Sequence, residues 1–215
     1  RCGNTSSGKC RATAAASVEV PGYEILGELG RGGMGAVLRG RDPELGREVA
    51  VKVLLERCAD DARTAARFRE EAQIGGQLQH PGVVPVHALG RLPDGRPFFT
   101  MKLIEGRTLA ELLKGRKSPT QELPYFLSIF GQICHALAYA HSRGVIHRDL
   151  KPLNVMVGAF GEVQVMDWGL AKITSGPMRT ERTGRPEARS VEGSVLGTPA
   201  YMAPEQACGD VDGLD

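Results

Sequence analysis

Apolar and polar positions run with a short period through the first third of the chain and with a helical period in much of the rest. Residues 23–29 read as a strand, a glycine-rich segment follows at 30–35, and residues 36–39 and 48–53 continue as strands. Asp42-Pro43-Glu44-Leu45-Gly46 has the composition of a hairpin connector, and Pro93-Asp94-Gly95-Arg96 that of a second turn before the apolar run at 98–104. Residues 61–78, rich in Ala, Arg, Glu and Gln, predict an amphipathic helix. Thr108 and Glu111 have capping-box spacing. Residues 123–143 predict a longer core helix on Phe126, Ile129, Phe130, Ile133, Leu137 and Ala140, with His135 and His141 on its surface and a glycine stop at Gly144. Two short apolar runs then flank the charged octet H-R-D-L-K-P-L-N at 147–154. A loop pinned between buried strands is where a fold holds polar groups at fixed spacing over a ligand. Residues 1–22 read as a flexible leader, and the polar, basic residues 174–194 as a mobile loop.

Composition narrows this picture by exclusion. The net charge of +2 over 215 residues gives no argument for a nucleic-acid or acidic-membrane partner. Cys2, Cys10, Cys58, Cys134 and Cys208 are odd in number and form no C-x-x-C pair, so reduced thiols are expected rather than a disulfide framework or zinc site. No apolar run is expected to span a bilayer, and the polar N-terminus is unlike a signal peptide. Arg1 in place of Met hints at a fragment or a processed chain.

The motifs converge on phosphoryl transfer. Gly30, Gly32 and Gly35 give G-x-G-x-x-G-x-V with Val37, and glycines let backbone amides approach phosphate oxygens. A dinucleotide fold uses the same spacing but opens a helix, whereas strands continue here. Lys52 sits in the strand Val49-Ala50-Val51-Lys52 and needs a carboxylate partner, for which the next helix offers Glu70 and Glu71. With the octet, Asp167-Trp168-Gly169 and Ala203-Pro204-Glu205, the order of motifs resembles the bacterial eukaryotic-like Ser/Thr protein kinases from Tyr23 to Asp215.

That resemblance implies an α+β, bilobal protein-kinase-like fold: a small antiparallel β-sheet lobe with a regulatory helix at 23–101, then a hinge and an incomplete, mainly helical C-lobe at 102–215. It implies ATP and Mg²⁺ as cofactors, and proteins with Ser or Thr hydroxyls as substrates. It also implies a cytoplasmic kinase domain, with a membrane anchor left open for a longer parent protein. In the catalytic set of Lys52, Asp149, Lys151, Asn154 and Thr198, Asp149 receives the substrate hydroxyl proton and Lys151 stands beside the transferring group. Thr198 bridges these two, while Asn154 and Asp167 are the metal ligands. An aspartate near its reference pKa of about 3.9 is a weak base, so orientation is its main task. The nucleotide set is Leu29, Gly30, Arg31, Gly32, Gly33, Met34, Gly35, Val37, Ala50, Lys52, Glu71, Met101, Lys102, Ile104 and Met156, with Glu105 near the ribose.

The family pattern F-x-x-E-A selects Glu71 and leaves Glu70 as solvated surface. Arg148 is expected to pair with an added phosphate, the acceptor candidates being Thr180, Thr183, Ser190 and Ser194. Glu205 is expected to stay solvated or raise its pKa without the arginine that the family pairs with it, and the long helix is expected to leave an apolar patch exposed. Trp168 replaces the family's phenylalanine, and its indole is expected to fill room left by Gly75, in a stack running Val86, Gly75, Trp168, His147. Two other readings compete: a catalytically weak nucleotide-binding or scaffolding fragment, and a small-molecule phosphotransferase, the latter disfavoured by Lys151 and residues 197–205.

Overall fold

The computed structural model describes residues 18–174 and 196–210. Its first lobe is an antiparallel sheet of β1 (Glu24–Arg31), β2 (Gly35–Asp42), β3 (Arg47–Leu54), β4 (Val86–Arg91) and β5 (Pro97–Lys102), in the order β1-β2-β3-β5-β4. Gly46 and Gly95, at φ of +65° and +86°, make the turns that the sequence marks with glycine. Register separates two faces. Val49, Val51 and Val53 pack with Ala36, Leu38 and Phe98 on one. On the other, Leu54 and Phe99 meet Phe68 and Ala72 of α1 (Ala62–Gln77). Asp61 caps α1 by accepting from the Arg63 amide at 3.0 Å. Phe68, Glu71, Ala72 and Gly75, at helical spacing, form its buried stripe. Burying a side chain such as Phe68 contributes about 1.5–3 kcal/mol.

The second lobe holds β6 (Gly106–Thr108), α2 (Leu109–Lys114), α3 (Leu123–Ser142), β7 (Val145–Ile146), β8 (Val155–Gly158), β9 (Val163–Val165), β10 (Lys172–Ile173) and α4 (Pro204–Ala207). Strands pair as β6-β8-β9 and β10-β7. The expected capping box at Thr108 and Glu111 is formed in full. The core joins Ile129, Ile133, Ala136 and Ala140 of α3 to Val145, Val155, Val165 and Trp168, and it includes Ile74 and Leu78 from the end of α1. One helix therefore belongs to both cores, which sets the distance between the sheet and the loop after β7.

Three expectations need correction here. The leader does not extend to residue 22: Val20 is buried and bridges to Tyr23, with Val18 packed beside it. Phe130 is 62% exposed rather than in the core, because Ile129, Ile133, Ala136 and Ala140 already complete the inward stripe. Leu127 and Tyr125 lie exposed on the same helix. Contrary to the reading of apolar runs, α3 is long and apolar enough to cross a membrane by length and composition, although one face is buried in the core. The four phosphate-acceptor candidates lie outside the described residues.

Candidate active site

β7 and β8 hold the octet at both ends, and a 3₁₀ turn at Pro152–Asn154 closes it, the Asn154 amide donating to the Lys151 carbonyl at 2.8 Å. Asp149, 9% exposed, accepts from the Thr198 hydroxyl at 2.7 Å on one oxygen. Its other oxygen accepts from Lys151 Nζ at 2.7 Å and Asn154 Nδ2 at 3.2 Å. Lys151 also donates to the Thr198 hydroxyl at 2.7 Å, closing a ring of three side chains. Burial works to raise the Asp149 pKa, but the bonds from Lys151 and Thr198 outweigh it and hold the carboxyl below its usual value. Asn154 Nδ2 also donates to the Asp149 carbonyl at 2.9 Å. With that nitrogen committed to Asp149, the amide oxygen is the side chain's remaining ligand atom, a hard oxygen of the kind that suits Mg²⁺.

His147 is the buried hub behind this loop. Its Nδ1 accepts from the Asp149 amide at 3.2 Å, which leaves Nε2 to donate to the Met166 carbonyl at 2.9 Å. Burial lowers its pKa, so the ring is neutral at ordinary pH. Trp168 lies edge-on to it at 4.7 Å and donates its indole N–H to the Val165 carbonyl at 3.4 Å. Arg148 and Asp167, at φ of +64° and +61°, carry left-handed backbone that side chains rarely adopt. The Arg148 guanidinium donates to the Leu170 carbonyl at 2.6 Å. Burial lowers its pKa; Arg67 acts in the same direction and Glu70 in the other. Glu70 is thus half-buried within the field of Arg148, not the solvated surface group expected of it.

In the upper lobe, Lys52 Nζ meets Glu71 Oε1 at 2.5 Å and Asp167 Oδ1 at 3.6 Å. Burial works to lower the Lys52 pKa, but the two carboxylates outweigh it, and the lysine is held charged above its ordinary value. Burial pushes Glu71 up, partly offset by Lys52. Asp167 keeps half of its side chain exposed, one residue beyond the Met166 amide, which donates to the Asn154 carbonyl at 2.9 Å. A Cβ on Gly169 would stand 3.0 Å from Glu71 Oε2, 3.1 Å from Met34 Cε and 3.3 Å from Asp167 Oδ1, so a larger residue there would press on all three side chains.

Of the residues expected around a nucleotide, four lie on one face of the five-stranded sheet. Val37 pairs with Lys52, Lys52 with Phe99, and Ala50 with Met101, so Val37, Ala50, Lys52 and Met101 share a side. Gly30 pairs with Val37 at the head of β2, and Gly32 donates to the Gly35 carbonyl at 2.8 Å. Leu29 is 51% exposed, and Arg31 is engaged by Glu28 at 2.6 Å. Met156 is half-buried on β8, across from Gln164. Lys102 and Ile104 line a cavity of about 280 Å³ with Leu103, Glu105, Glu48, Ala159, Phe160 and Glu162.

The stack proposed for Trp168 is only half formed. A Cβ on Gly75 would meet Val86 Cγ2 at 2.7 Å, and no indole atom comes within 4 Å of it. Val86, not Trp168, uses that room, because the indole is anchored to Val165 and His147 lower in the core. Sequence reasoning also missed Gln206, which follows Glu205. Its buried amide donates to the carbonyls of Arg148 at 2.6 Å and Leu196 at 2.5 Å, tying α4 to the loop. A lone glutamine offers no pattern that could have marked it.

Residues 23–210 match the family described as the protein kinase domain. Among curated proteins, the serine/threonine-protein kinase PknD of Protochlamydia amoebophila is 38% identical over 206 residues, covering 87% of this chain. PknD of Chlamydia caviae is 39% and PknD of Chlamydia felis 40% identical, each over 206 residues and the same share of the chain. The chain spans 21–22% of the length of these relatives. With residues 23–210 of 215 matched, the chain belongs to the protein kinase domain family.

Proposed function

We propose that this chain is the catalytic domain of a serine/threonine protein kinase, moving the terminal phosphoryl group of ATP to protein Ser or Thr hydroxyls in cytoplasmic signalling, with autophosphorylation. Protein kinases as a family use ATP and a divalent cation. The observation that carries the reading is the closed Asp149–Lys151–Thr198 ring standing together with a formed Lys52–Glu71 pair.

Each group has a task that its surroundings suit. Asp149, held ionised, accepts a hydrogen bond from the incoming hydroxyl and aligns it, then takes its proton late in the transfer. Lys151 places a cation where charge builds on the phosphoryl oxygens. Lys52, kept charged and fixed by Glu71, grips the inner phosphates, while residues 30–37 cover them with backbone amides. Leu29, Val37, Ala50, Met101 and Met156 would supply apolar contacts to the base, and the hinge backbone of Lys102 and Ile104 would offer its polar edge hydrogen bonds. Asn154 and Asp167 would hold Mg²⁺, whose charge would neutralise the phosphates when it is bound. The exposed Asp167 carboxylate and the uncommitted Asn154 oxygen fit that ligand chemistry.

Thr198 and Lys151 confine the acceptor to a short hydroxyl close to Asp149. Matched peptides with serine, threonine or tyrosine at one position test this. Phosphate is expected on serine and threonine; preferential transfer to tyrosine overturns the assignment.

A further inference from the structure

The tip of the glycine-rich loop is fastened to a segment for which the catalytic roles above have no use. Between β3 and α1 the chain makes one 3₁₀ turn at Glu56–Cys58. From there Arg57 Nη2 donates to the Gly33 carbonyl at 2.8 Å, and the Leu55 amide donates to the Met34 carbonyl at 3.0 Å. Cys58 Sγ adds a weak contact to the Gly33 carbonyl at 3.9 Å. On the inner side, Met34 packs against the Leu54, Phe68, Ala72 and Phe99 cluster, and its Cε lies beside Gly169. Successive carbonyls at the loop's tip are therefore held from outside while the side chain between them is held from inside. Arg57 is exposed and makes no ion pair among the described residues, so this carbonyl is the contact its guanidinium makes there. The 3₁₀ turn runs into Asp61, the cap of the helix that carries Glu71.

We propose that Arg57 is a positioning residue: it latches the glycine-rich loop, through the Gly33 carbonyl, to the segment leading into α1, so that loop closure over the nucleotide is tied to the helix that supplies Glu71. The inference rests on the kinase reading of the site. A glycine-rich strand end is cheap to bend, and without an external anchor its tip samples open positions. One guanidinium bond to the carbonyl shifts that balance toward closure, and a ligand that prefers the closed loop gains the same factor.

The test uses the 215-residue chain and compares wild type with Arg57→Ala and Arg57→Lys. Kd for Mg²⁺-ATP is read by titration calorimetry, kcat and KM by phosphate transfer, and amide exchange of Gly32 and Leu55 by mass spectrometry without nucleotide. Arg57→Ala is expected to raise Kd and KM for ATP about five- to tenfold, the weight of one charge-assisted hydrogen bond at an exposed site, with kcat within about twofold. Exchange at Gly32 and Leu55 rises with it, and Arg57→Lys, which keeps a donor, recovers part of both effects. A variant with unchanged affinity and unchanged exchange overturns the latch while the kinase reading stands. A wild-type chain that binds no ATP overturns the kinase reading, and with it the latch's purpose.

Discussion

Gly75 gives the sharpest test of how the helix is packed. The built Cβ at this position lies 2.7 Å from Val86 Cγ2, well inside contact distance, and Val86 is held on β4 across from Met101. Gly75→Ala gains about 1 kcal/mol of helix propensity but forces a branched side chain to move, an overpacking cost of about 1–3 kcal/mol. The single variant is therefore expected to be neutral or destabilised. Val86→Ala removes the obstructing methyl, so the double variant regains the propensity without the clash. A double-mutant cycle read by urea unfolding should give Gly75 and Val86 a coupling of about 1–3 kcal/mol. The same cycle with Trp168→Phe should give less than about 0.5 kcal/mol, since the indole does not touch that site. Trp168→Ala, measured by circular dichroism because it removes the chain's one tryptophan, should cost about 3–5 kcal/mol for the cavity it leaves at a 4% exposed site. Strong coupling of Gly75 to Trp168 and none to Val86 would refute this packing.

Two further outcomes follow from the charged groups. Thr198→Val removes a hydroxyl bond that holds the Asp149 pKa down, so the acid limb of the pH–rate profile should move to higher pH. Because the Asp149 pKa is depressed on folding, its stability contribution is present above the unfolded value of about 3.9 and is lost as pH falls through the folded one; an acid limb unmoved by Thr198→Val contradicts this. Glu71→Gln leaves Lys52 with only the more distant, half-exposed Asp167 carboxylate, and unfolding should show a loss of about 1–3 kcal/mol; no measurable loss contradicts the pairing.

What the sequence disclosed follows from which residues interact locally. Capping at Thr108, the turns at Gly46 and Gly95, and the loop between β7 and β8 are set by neighbours within a few positions, so their spacing was legible. Glu71 could be told from Glu70 by the family pattern, and the geometry adds the reason: one falls on the buried stripe of α1 and the other does not. Contacts between distant elements were legible only where the family pattern carried them, as for Thr198 on Asp149. Gln206 on the Arg148 carbonyl and Arg57 on Gly33 left no mark, because a single polar side chain reaching a remote carbonyl has no period or spacing. Trp168 shows the opposite failure. Its volume suggested the glycines as a socket, whereas its indole N–H found a carbonyl three residues back and fixed the ring elsewhere.

Asp149 is the residue on which the proposed phosphoryl transfer turns. Transfer from radiolabelled ATP to a generic protein substrate, followed by phosphoamino-acid analysis, should place label on serine and threonine. Asp149→Asn should lower the rate by about 100-fold or more while Mg²⁺-ATP still binds through Lys52 and the glycine-rich loop. Label transfer at the wild-type rate by Asp149→Asn would contradict the role given to this carboxylate.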